Sequence, residues 1–487
     1  MKIYLLYTGG TIGCVGTPLN PLQGPAFVSA FKNNVEGIIT SQMPGTTITY
    51  EYFQETLDST NMQPSDWVLI AQKILSNYAQ HDGFLVLHGT DTMAWTASAL
   101  SFLLPGLSKP VFVTGSQLPM FYQQGASTFN LLFNTDALRN VLGAIGFMQF
   151  GVPEVGLYFA DNLYRGNRVV KSNASQFPAF SSPNYPALGT FGVLPVLNDS
   201  LILPTPSANA LDNNISKVQD NLVRIWGNVN SKSVIQFLLF PAYYDQRSGA
   251  SLIVSMLERL AEGNIALKGI IFEAYGEGNI PDFQQMQDLL KKLDKKQDPI
   301  LMVDCTQVYS GDVNYNAYAT GAWLKGAGVI SGYDMTPIAA LTKLIVQLAQ
   351  NPTASQDTIK NTMGTSLAGE MVLYYALSGD QNGFLAPGQS LYSINGNYQF
   401  TNKPNGDLVL YNVSGTQPVQ TWKHSCGAEG RLVMQSDCNL VFYDRDFKPL
   451  FASNTQTIGT NAYFQVNNDG TLCIYDLYTR ALIKKLN

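Results

Sequence analysis

Two short runs of Gly, Thr and Asp carry the side chains of this sequence that could do chemistry. They are Thr8-Gly9-Gly10-Thr11-Ile12-Gly13 and His88-Gly89-Thr90-Asp91-Thr92. In each run glycine lets the backbone approach a ligand closely and threonine supplies a hydroxyl, to which Asp91 adds a carboxylate. The two runs predict a polar site in which a threonine is the candidate nucleophile.

A threonine nucleophile needs a partner, because a free hydroxyl is unreactive at neutral pH. A lysine of lowered pKa, held by a carboxylate, could take the proton. Histidine bases are scarce, since the chain has only His81, His88 and His424, and His88 is more simply explained as a hydrogen-bonded structural residue. No G-x-S-x-G, Walker A, G-x-G-x-x-G or zinc-ligand pattern occurs, so a nucleotide-binding interpretation of the first run is weak.

Both runs are predicted to be turns between a strand and a helix. The apolar segments 2–7 and 83–87 precede them, and residues 93–104 continue without Gly or Pro, as a helix does. In an open parallel sheet such turns lie at the carboxyl ends of the strands, where ligands bind. The alternative for Thr90 and Asp91 is ordinary helix capping, in which their side-chain oxygens accept backbone N–H groups.

The chain up to about residue 375 alternates predicted strands and helices, which is typical of α/β folds with parallel sheets. Further strands are expected at 110–114, 146–150, 155–159, 234–240, 269–272 and 299–304, and helices at 249–263 and 283–295. Prolines cluster between residues 177 and 206, which disfavours regular elements and marks a linker or crossover. We therefore expect an N-terminal α/β domain at 1–190 and a smaller α/β domain at 191–375.

The last hundred residues differ in kind, because helical periodicity ends and Gly, Asn, Asp, Thr and Tyr become frequent. Three similar segments place Tyr411, Tyr443 and Tyr475 at intervals of 32 residues. This repeat predicts an all-β domain with three-fold character at residues 380–487.

Composition narrows the choice of partners and location. A net charge of -6 and a pI near 5.2 argue against nucleic acid. No uninterrupted apolar run reaches the 18 residues of a membrane span, and no signal-peptide pattern precedes the first strand, so a cytoplasmic location is expected. Five scattered cysteines predict free thiols, although Cys426 and Cys438 could close a small loop under oxidising conditions.

The two Gly-Thr runs resemble the signature motifs of the bacterial-type L-asparaginases. The likeness covers about residues 1–375 and extends to 57–62, 114–119, 164–168 with Lys171, 182–186, 275–279 and 328–337, in the pattern of the type I, cytoplasmic branch. The resemblance implies two α/β domains of the asparaginase type and a homodimer or homotetramer. It also implies hydrolysis of the side-chain amide of L-asparagine, without cofactor or metal.

The resemblance further implies roles for particular residues. Thr11 would be the nucleophile, and Thr90, Asp91 and Lys171 a second triad in which Asp91 holds Lys171 as the base. The charged α-groups of the amino acid would be bound by a short run, Asp58, Ser59 and Thr60. L-Glutamine is an alternative substrate, because a pocket discriminates weakly against one extra methylene.

The sequence also departs from the family pattern. The family usually has a Tyr about ten residues after the nucleophile, on a mobile lid, but no Tyr occurs between Tyr7 and Tyr50. No second cysteine follows Cys305 as in some allosteric type I enzymes, so no effector site is expected. These departures predict lower or altered amidase activity.

The C-terminal repeat resembles the bulb-type lectins, whose fold is a three-fold β-prism. Its middle unit reproduces the mannose-binding motif at Gln435, Asp437, Asn439, Val441 and Tyr443, which implies mannose or mannose-containing glycans as ligands. The units at 403–411 and 467–475 have lost the glutamine and are expected to be structural remnants. Two functions stay open: an L-asparaginase with a mannose-binding module, and a lectin-led carbohydrate-binding protein with a decayed or glutaminase-like amidohydrolase portion.

Overall fold

The computed structural model of the chain describes residues 1–125, 127–198, 201–203, 210–263, 267–313, 323–371, 376–379, 383–393, 397–415, 417–456, 458, 462–476 and 481–487. These residues form two compact units, Met1–Gly364 and Thr365–Asn487, and each is described by itself.

The described part of the first unit is an α/β structure. Its strands are β1 (Lys2–Gly9), β2 (Cys14–Val15), β3 (Asn20–Pro21), β4 (Thr47–Leu57), β5 (Gly83–Leu87), β6 (Val111–Thr114), β7 (Phe121–Gln123), β8 (Phe129–Leu131), β9 (Val155–Phe159), β10 (Asn162–Arg165), β11 (Val170–Lys171), β12 (Phe180–Ser181), β13 (Gly189–Phe191), β14 (Pro195–Leu197), β15 (Ser233–Leu238), β16 (Leu267–Ala274), β17 (Leu301–Thr306) and β18 (Ile330–Ser331). Its helices are α1 (Gly24–Phe31), α2 (Gly37–Gln42), α3 (Pro64–Ser76), α4 (Met93–Leu103), α5 (Ala137–Met148), α6 (Leu211–Asn228), α7 (Leu252–Glu262), α8 (Gln284–Asp294), α9 (Pro337–Gln350) and α10 (Gln356–Met363).

The larger sheet places the two Gly-Thr runs side by side. Its order is β14-β13-β10-β9-β6-β5-β1-β4, and the five strands from β9 to β4 are parallel. Counted along the chain, these five have the order 2-1-3-4-5, so the direction of progress reverses between β1 and β5. Ligands of open α/β sheets bind at such a switch point. The two runs follow these two strands.

The strands at the switch point form because their side chains are apolar on both faces. Every residue of β5 is buried, and β1 is buried after Lys2. Such continuous apolar runs are typical of parallel strands covered on both sides, and α4 is itself buried along most of its length. The predicted strands at 2–7, 83–87, 110–114 and 155–159 and the helix at 93–104 are confirmed.

Two predictions in this region are wrong. The strand expected at 146–150 is instead the end of α5 and the turn after it, because buried residues recur along α5 at helical spacing. A short apolar run cannot by periodicity alone be assigned to strand or helix. The proline-rich segment 177–206, expected to lack regular elements, contributes β13 and β14 as short antiparallel strands at one edge of the sheet.

The second sheet of this unit is smaller and wholly parallel, with the order β15-β16-β17-β18. It contains the strands predicted at 234–240, 269–272 and 299–304, and the predicted helices are observed as α7 and α8. A core of buried aliphatic and aromatic side chains joins this sheet to those two helices.

The described part of the second unit is all-β, as predicted. Its strands are β19 (Ala376–Ser378), β20 (Phe384–Leu385), β21 (Ser390–Tyr392), β22 (Tyr398–Asn402), β23 (Asp407–Asn412), β24 (Val419–Ser425), β25 (Gly430–Met434), β26 (Leu440–Asp444), β27 (Pro449–Ala452), β28 (Ala462–Val466), β29 (Leu472–Asp476) and β30 (Leu482–Lys485). Three consecutive strands make each of three antiparallel sheets, and β19, β20 and β21 each add a fourth strand to one sheet. Tyr411, Tyr443 and Tyr475 occupy corresponding strands, and the inward side chains of the three sheets form one core.

Two buried ion pairs fix the chain between β10 and β11. Arg165 donates to Glu154 at 2.6 Å, and Arg168 donates to Asp334 at 2.7 Å, with all four side chains no more than 4% exposed. Arg165 also donates to the carbonyl of Leu201 at 2.7 Å. Because a buried charge without its partner is costly, this segment has little freedom to move.

Two further expectations concern membranes and thiols. Within the described ranges, no helix combines the length and apolar character that crossing a membrane requires. None of the five cysteines forms a disulfide bond, so Cys426 and Cys438 are not joined.

Replacing Glu154 should destabilise the first unit. We expect Glu154→Gln to lower the free energy of unfolding by about 3–5 kcal/mol, because the Arg165 guanidinium stays buried without its carboxylate. Urea unfolding followed by fluorescence measures this change. The matched control is Lys292→Met, which removes the exposed pair with Glu262 and should cost less than about 1 kcal/mol. Equal losses in the free energy of unfolding in the two variants would contradict the prediction that the buried pair stabilises the first unit.

Candidate functional sites

The two Gly-Thr turns are in direct backbone contact. A Cβ atom placed on Gly10 would lie 2.3 Å from the Cα and N atoms of Gly89. Gly10 also has a φ of 82°, a conformation that side chains disfavour. Only glycine at position 10 allows the turns after β1 and β5 to meet.

The end of β4 closes the other side of the first turn. The Gly10 N–H donates to the carbonyl of Leu57 at 3.0 Å, and a Cβ on Gly9 would lie 2.2 Å from the same oxygen. Thr8 spans the remaining gap by donating its hydroxyl to the carbonyl of Leu87 at 3.0 Å. Three strand ends thus converge on one point.

Thr11 is the next residue after Gly10, where these strand ends meet. It is the first residue of a single 3-10 turn, Thr11–Gly13, and follows Gly10 without a break. Its side chain is half-buried, whereas Ile12 and Gly13 behind it are buried. The structure therefore places the predicted nucleophile next to the turn that carries Thr90.

Lys171 joins Thr90 and Asp91 in one hydrogen-bonded group. Its Nζ donates to Thr90 Oγ1 at 2.9 Å and to Asp91 Oδ1 at 2.7 Å. Lys171 is brought there by β11, which pairs with β12 through Phe180. The side chain of Lys171 is 19% exposed and that of Asp91 is 56% exposed, so the group lies at the protein surface with the lysine on its inner side.

This geometry bears on the capping interpretation of the second run. The N-cap of α4 is Thr92, and the Thr92 hydroxyl donates to the carbonyl of Ser59 at 2.7 Å and makes no capping bond. Thr90 and Asp91 face Lys171 instead. The capping interpretation of Thr90 and Asp91 is wrong.

The run predicted to bind the α-groups lies beside the same turns. Ser59 is buried against Gly89, since a Cβ atom placed on Gly89 would lie 2.5 Å from Ser59 Oγ. Asp58 and Thr60 are exposed, and Asp58 Oδ1 accepts from the Thr60 N–H and from the Thr60 hydroxyl, both at 2.9 Å. The structure brings these three residues together with Gly10 and Gly89 at the switch point.

His88 supports the second turn from inside the protein. Its Nδ1 lies 2.7 Å from the carbonyl of Gly89 and its Nε2 lies 2.9 Å from the hydroxyl of Thr96. A carbonyl only accepts, so Nδ1 carries the proton and Nε2 accepts from Thr96. Complete burial lowers the pKa of His88 from 6.5 to about 4, because the charged form would be desolvated. The prediction of a hydrogen-bonded structural histidine is confirmed.

Sequence reasoning missed two supporting residues. Thr96 fixes His88 through a hydrogen bond. The feature of the sequence that could have identified Thr96 is a threonine on the buried face of an apolar helix. Asp136 accepts from the N–H groups of Gln117 and Leu118 at 2.9 and 3.0 Å and so holds the turn after β6. An acidic residue directly before α5 was its signal.

Cys14 follows the nucleophile turn but is a poor alternative nucleophile. Its thiol donates to the carbonyl of Gly10 at 3.3 Å, and burial raises its pKa to about 11. A thiol must ionise to react, so Cys14 stays inert at neutral pH. No three His, Cys, Asp or Glu side chains are grouped to hold a metal ion in the part of the chain that the structure describes.

The predicted mannose-binding motif of the second unit places its polar side chains in local hydrogen bonds. Gln435 Nε2 donates to the Tyr443 hydroxyl at 2.9 Å, and Asp437 Oδ1 accepts from the N–H of Asn439 at 2.9 Å. Asn439 Oδ1 in turn accepts from the Ser453 hydroxyl at 3.0 Å. Val441, the fourth motif position, is buried.

The other two units keep the shape of this set with different chemistry. In the third unit Asn467 donates to the Tyr475 hydroxyl at 2.7 Å. In the first unit Lys403 lies over the ring of Tyr411, and Asp407 pairs with Lys423 at 2.7 Å. Hydrogen bonding to Lys423 lowers the pKa of Asp407 to about 2.

Comparison with known proteins places the first unit in a family. The profile of the asparaginase N-terminal domain matches residues 2–201, and that of the glutaminase/asparaginase C-terminal domain matches residues 250–363. L-Asparaginase 1 of Escherichia coli (strain K12) is 36% identical over 375 residues, which cover 76% of this chain and 98% of the relative.

A second relative and a solved structure also match the chain. The relative is the 60 kDa lysophospholipase of Mus musculus, which is 35% identical over 393 residues, covering 76% of this chain and 63% of the relative. Among solved structures, L-asparaginase I of Vibrio cholerae has a TM-score of 0.61 and 32% identity, over 76% of this chain and 99% of that one.

The state of His88 predicts a dependence of stability on pH. The unfolded chain takes up a proton near pH 6.5 and the folded chain only near pH 4, so stability should fall by about 3 kcal/mol as pH decreases between these values. Denaturant unfolding of wild type and His88→Asn across this range isolates the contribution, because the variant lacks it. The matched control His424→Asn should keep the wild-type slope. Identical slopes for wild type and His88→Asn would show that His88 is not buried in its neutral form.

Proposed function

The chain belongs to the type I L-asparaginase family of amidohydrolases, and on that premise we propose that it hydrolyses the side-chain amide of L-asparagine to aspartate and ammonia. The observation that carries the proposal is the group formed by Lys171 with Thr90 and Asp91, next to the contact between Gly10 and Gly89. Thr11 directly follows Gly10 in the chain.

The proposed reaction uses these residues in turn. The Thr11 hydroxyl attacks the amide carbon, and its proton passes through the Lys171 group to the nitrogen, which leaves as ammonia. Lys171 acts as the base, Asp91 holds it, and Thr90 positions the nucleophile or the water. Water then cleaves the Thr11 ester and releases aspartate. Backbone N–H groups of the two turns supply the hydrogen bonds for the oxyanion.

Asp58, Ser59 and Thr60 are proposed to bind the charged α-groups of the substrate. The support is their place against Gly89 and the orientation of Asp58 by two bonds from Thr60. Charge-assisted bonds to both α-groups would hold the amide at the nucleophile and raise its effective concentration there. L-Glutamine stays an alternative substrate within the same chemistry.

Replacing Thr11 or Lys171 should remove ammonia release from L-asparagine. We expect Thr11→Ala to be inactive and Lys171→Met to lower kcat by about 10²–10⁴-fold, the usual contribution of a positioned general base. A coupled ammonia assay with L-asparagine and L-glutamine side by side makes the measurement. The matched control is Lys73→Met, which removes a lysine of α3 that pairs with Glu51. This variant should keep wild-type rates.

Two results would contradict this proposal. They are undiminished ammonia release by Thr11→Ala and no release by the wild-type protein. The second result would favour a lectin-led protein with a decayed amidohydrolase portion, for which the absence of a tyrosine from the hairpin after Thr11 is the motivating observation.

We further propose that the second unit is a β-prism lectin module that binds mannose or mannose-containing glycans through its middle unit. Gln435, Asp437, Asn439 and Tyr443 offer amide, carboxylate and phenol groups, which are the directional partners that sugar hydroxyls need. Their mutual bonds and those to Ser453 support the proposal, since they fix the side chains before a ligand arrives.

Replacing Asp437 should weaken mannose binding. We expect Asp437→Ala to lower affinity for a methyl mannoside by about 10–100-fold, because a charge-assisted hydrogen bond contributes about 1.5–3 kcal/mol. Isothermal titration calorimetry measures it. Asp446→Ala, at an exposed aspartate in the turn between β26 and β27, is the matched control and should bind as wild type does. Binding that is absent from wild type, or unchanged in Asp437→Ala, would remove the lectin proposal.

Assembly and location complete the proposal. A homodimer or homotetramer is supported by a stripe of exposed apolar side chains on α7, Leu252, Met256 and Leu260, and sedimentation velocity of the purified chain tests it. A cytoplasmic location is supported by the five cysteines that form no disulfide bond, which are ordinary in a reducing compartment. Fractionation of the source cells tests it.

A further inference from the structure

The strand that carries Lys171 is short and lies outside the two larger sheets of the first unit. It is β11, which has only two residues and pairs with β12 alone. Lys171 pairs with Phe180, and Val170 pairs with Ser181. An isolated two-stranded ribbon is marginally stable at best in water. This pair of strands, here called the lysine ribbon, therefore needs contacts with the rest of the unit to keep Lys171 in place.

Two tyrosine hydroxyls hold adjacent residues of the lysine ribbon. The Tyr164 hydroxyl donates to the carbonyl of Phe180 at 3.3 Å, and the Tyr309 hydroxyl donates to the Ser181 hydroxyl. Tyr164 belongs to β10 of the larger sheet, whereas Tyr309 follows the end of β17 in the smaller sheet. The lysine ribbon is thus bonded to both sheets of the first unit.

The start of the loop that carries Tyr309 is fixed to the smaller sheet. The Gln307 N–H donates to the carbonyl of Ala274, at the end of β16, at 2.9 Å. The Val308 N–H donates to the hydroxyl of Thr306, the last residue of β17, at 3.0 Å. The smaller sheet therefore sets the position of Tyr309.

The end of the same loop is fixed to the segment that follows the lysine ribbon. The Asn184 side chain donates to the carbonyl of Gly311 at 2.9 Å, and Asn184 Oδ1 accepts from the Gly311 N–H at 2.9 Å. The Ser310 hydroxyl donates to the carbonyl of Pro183 at 3.0 Å. These bonds keep Tyr309 within reach of the ribbon.

On the basis of the proposed function, we propose that Tyr309 is a positioning residue for the base Lys171. The hydrogen bond of Tyr309 reaches β12, and β12 pairs with Lys171, so the effect of Tyr309 on the base passes through the ribbon. Lys171 Nζ has to stay close to two acceptors, Thr90 at 2.9 Å and Asp91 at 2.7 Å. A displacement of about 1 Å can lower the rate of a positioned reaction by about 100-fold.

The two tyrosines also lie close enough to affect each other. Burial, and to a lesser extent the neighbouring Tyr309, raises the pKa of Tyr164, so Tyr164 stays protonated and remains a donor at neutral pH. Tyr309 itself is 57% exposed. Removing its hydroxyl therefore leaves no buried cavity behind, and a loss of activity would not follow from a loss of packing.

The first test removes the hydroxyl of Tyr309 and keeps its ring. In Tyr309→Phe we expect kcat for ammonia release from L-asparagine to fall by about two- to ten-fold, the factor that one ordinary hydrogen bond supplies. KM should stay unchanged, because residues 58–60 are untouched. Ser181→Ala removes the other partner of the same bond and should give an equal loss, and the double variant should lose no more than either. The matched control is Tyr243→Phe, at a 66% exposed tyrosine before α7, which should keep wild-type rates.

The second test follows Lys171 directly and needs no enzymatic activity. In the wild-type chain its two hydrogen bonds slow the reaction of its amine with acetic anhydride. Tyr309→Phe should raise the rate of acetylation at Lys171 by about two- to ten-fold, for the same loss of one hydrogen bond. Peptide mass spectrometry of the full chain measures this rate. Lys73, whose side chain is 27% exposed, is the internal control and should react at the wild-type rate.

Any of four outcomes would overturn the inference. They are an unchanged kcat in Tyr309→Phe, an unchanged acetylation rate at Lys171, losses that multiply in the double variant, and a rise in KM without a fall in kcat. Failure of the proposed function gives a different result, because the wild-type chain then releases no ammonia. The acetylation rates would still decide whether Tyr309 positions Lys171.

Discussion

The contact between Gly10 and Gly89 is the constraint on which the first unit depends. Neighbouring parallel strands lie about 4.8 Å apart, and the turns that follow β1 and β5 approach even more closely than the strands do. Any side chain at position 10 would overlap the backbone of Gly89 and push the turns apart. Thr11 and Thr90 would then separate, because each is fixed to its own turn. Gly10 is therefore required by proximity as well as by backbone conformation, whereas Gly89 is required by proximity alone.

Lys171 reaches the same point from outside the parallel sheet, so its position rests on other interactions. It follows a segment held by two buried ion pairs, one from Arg165 to Glu154, directly before β9, and one from Arg168 to Asp334, beyond β18. The lysine is thus tied to residues near both sheets of the first unit. Breaking either pair would leave a buried charge and would also loosen the base that the proposed reaction uses. The same residues therefore stabilise the first unit and position the proposed base.

The second unit shows how one architecture carries different chemistry in its three repeats. The inward side chains of all three sheets are apolar and form one core, which fixes the strands. The outward polar positions are freer to change, since they contribute little to that core. Accordingly an amide meets the tyrosine in two units, at Gln435 and Asn467, whereas Lys403 does so in the first. In that first unit Asp407 is also engaged by Lys423.

The sequence by itself determined the elements and the candidate residues, because both follow from local patterns. Apolar runs identified β1, β5, β6 and β9, and the Gly-Thr runs identified Thr11, Thr90 and Asp91. Local pattern failed at residues 146–150, where a short apolar run fits a strand or a helix equally well, and packing along α5 decided for the helix.

Only the tertiary structure decided which candidates meet. Thr90 and Asp91 were equally suited to capping α4, and it was the arrival of Lys171, 80 residues further along the chain, that turned them towards a lysine. Thr96 and Asp136 were not singled out from the sequence, because a threonine in an apolar helix and an acidic residue before a helix show no partner until the fold places them against His88 and the N–H of Gln117. Sequence pattern reports what a segment prefers, whereas the distance between two side chains is set by the packing of all the strands between them.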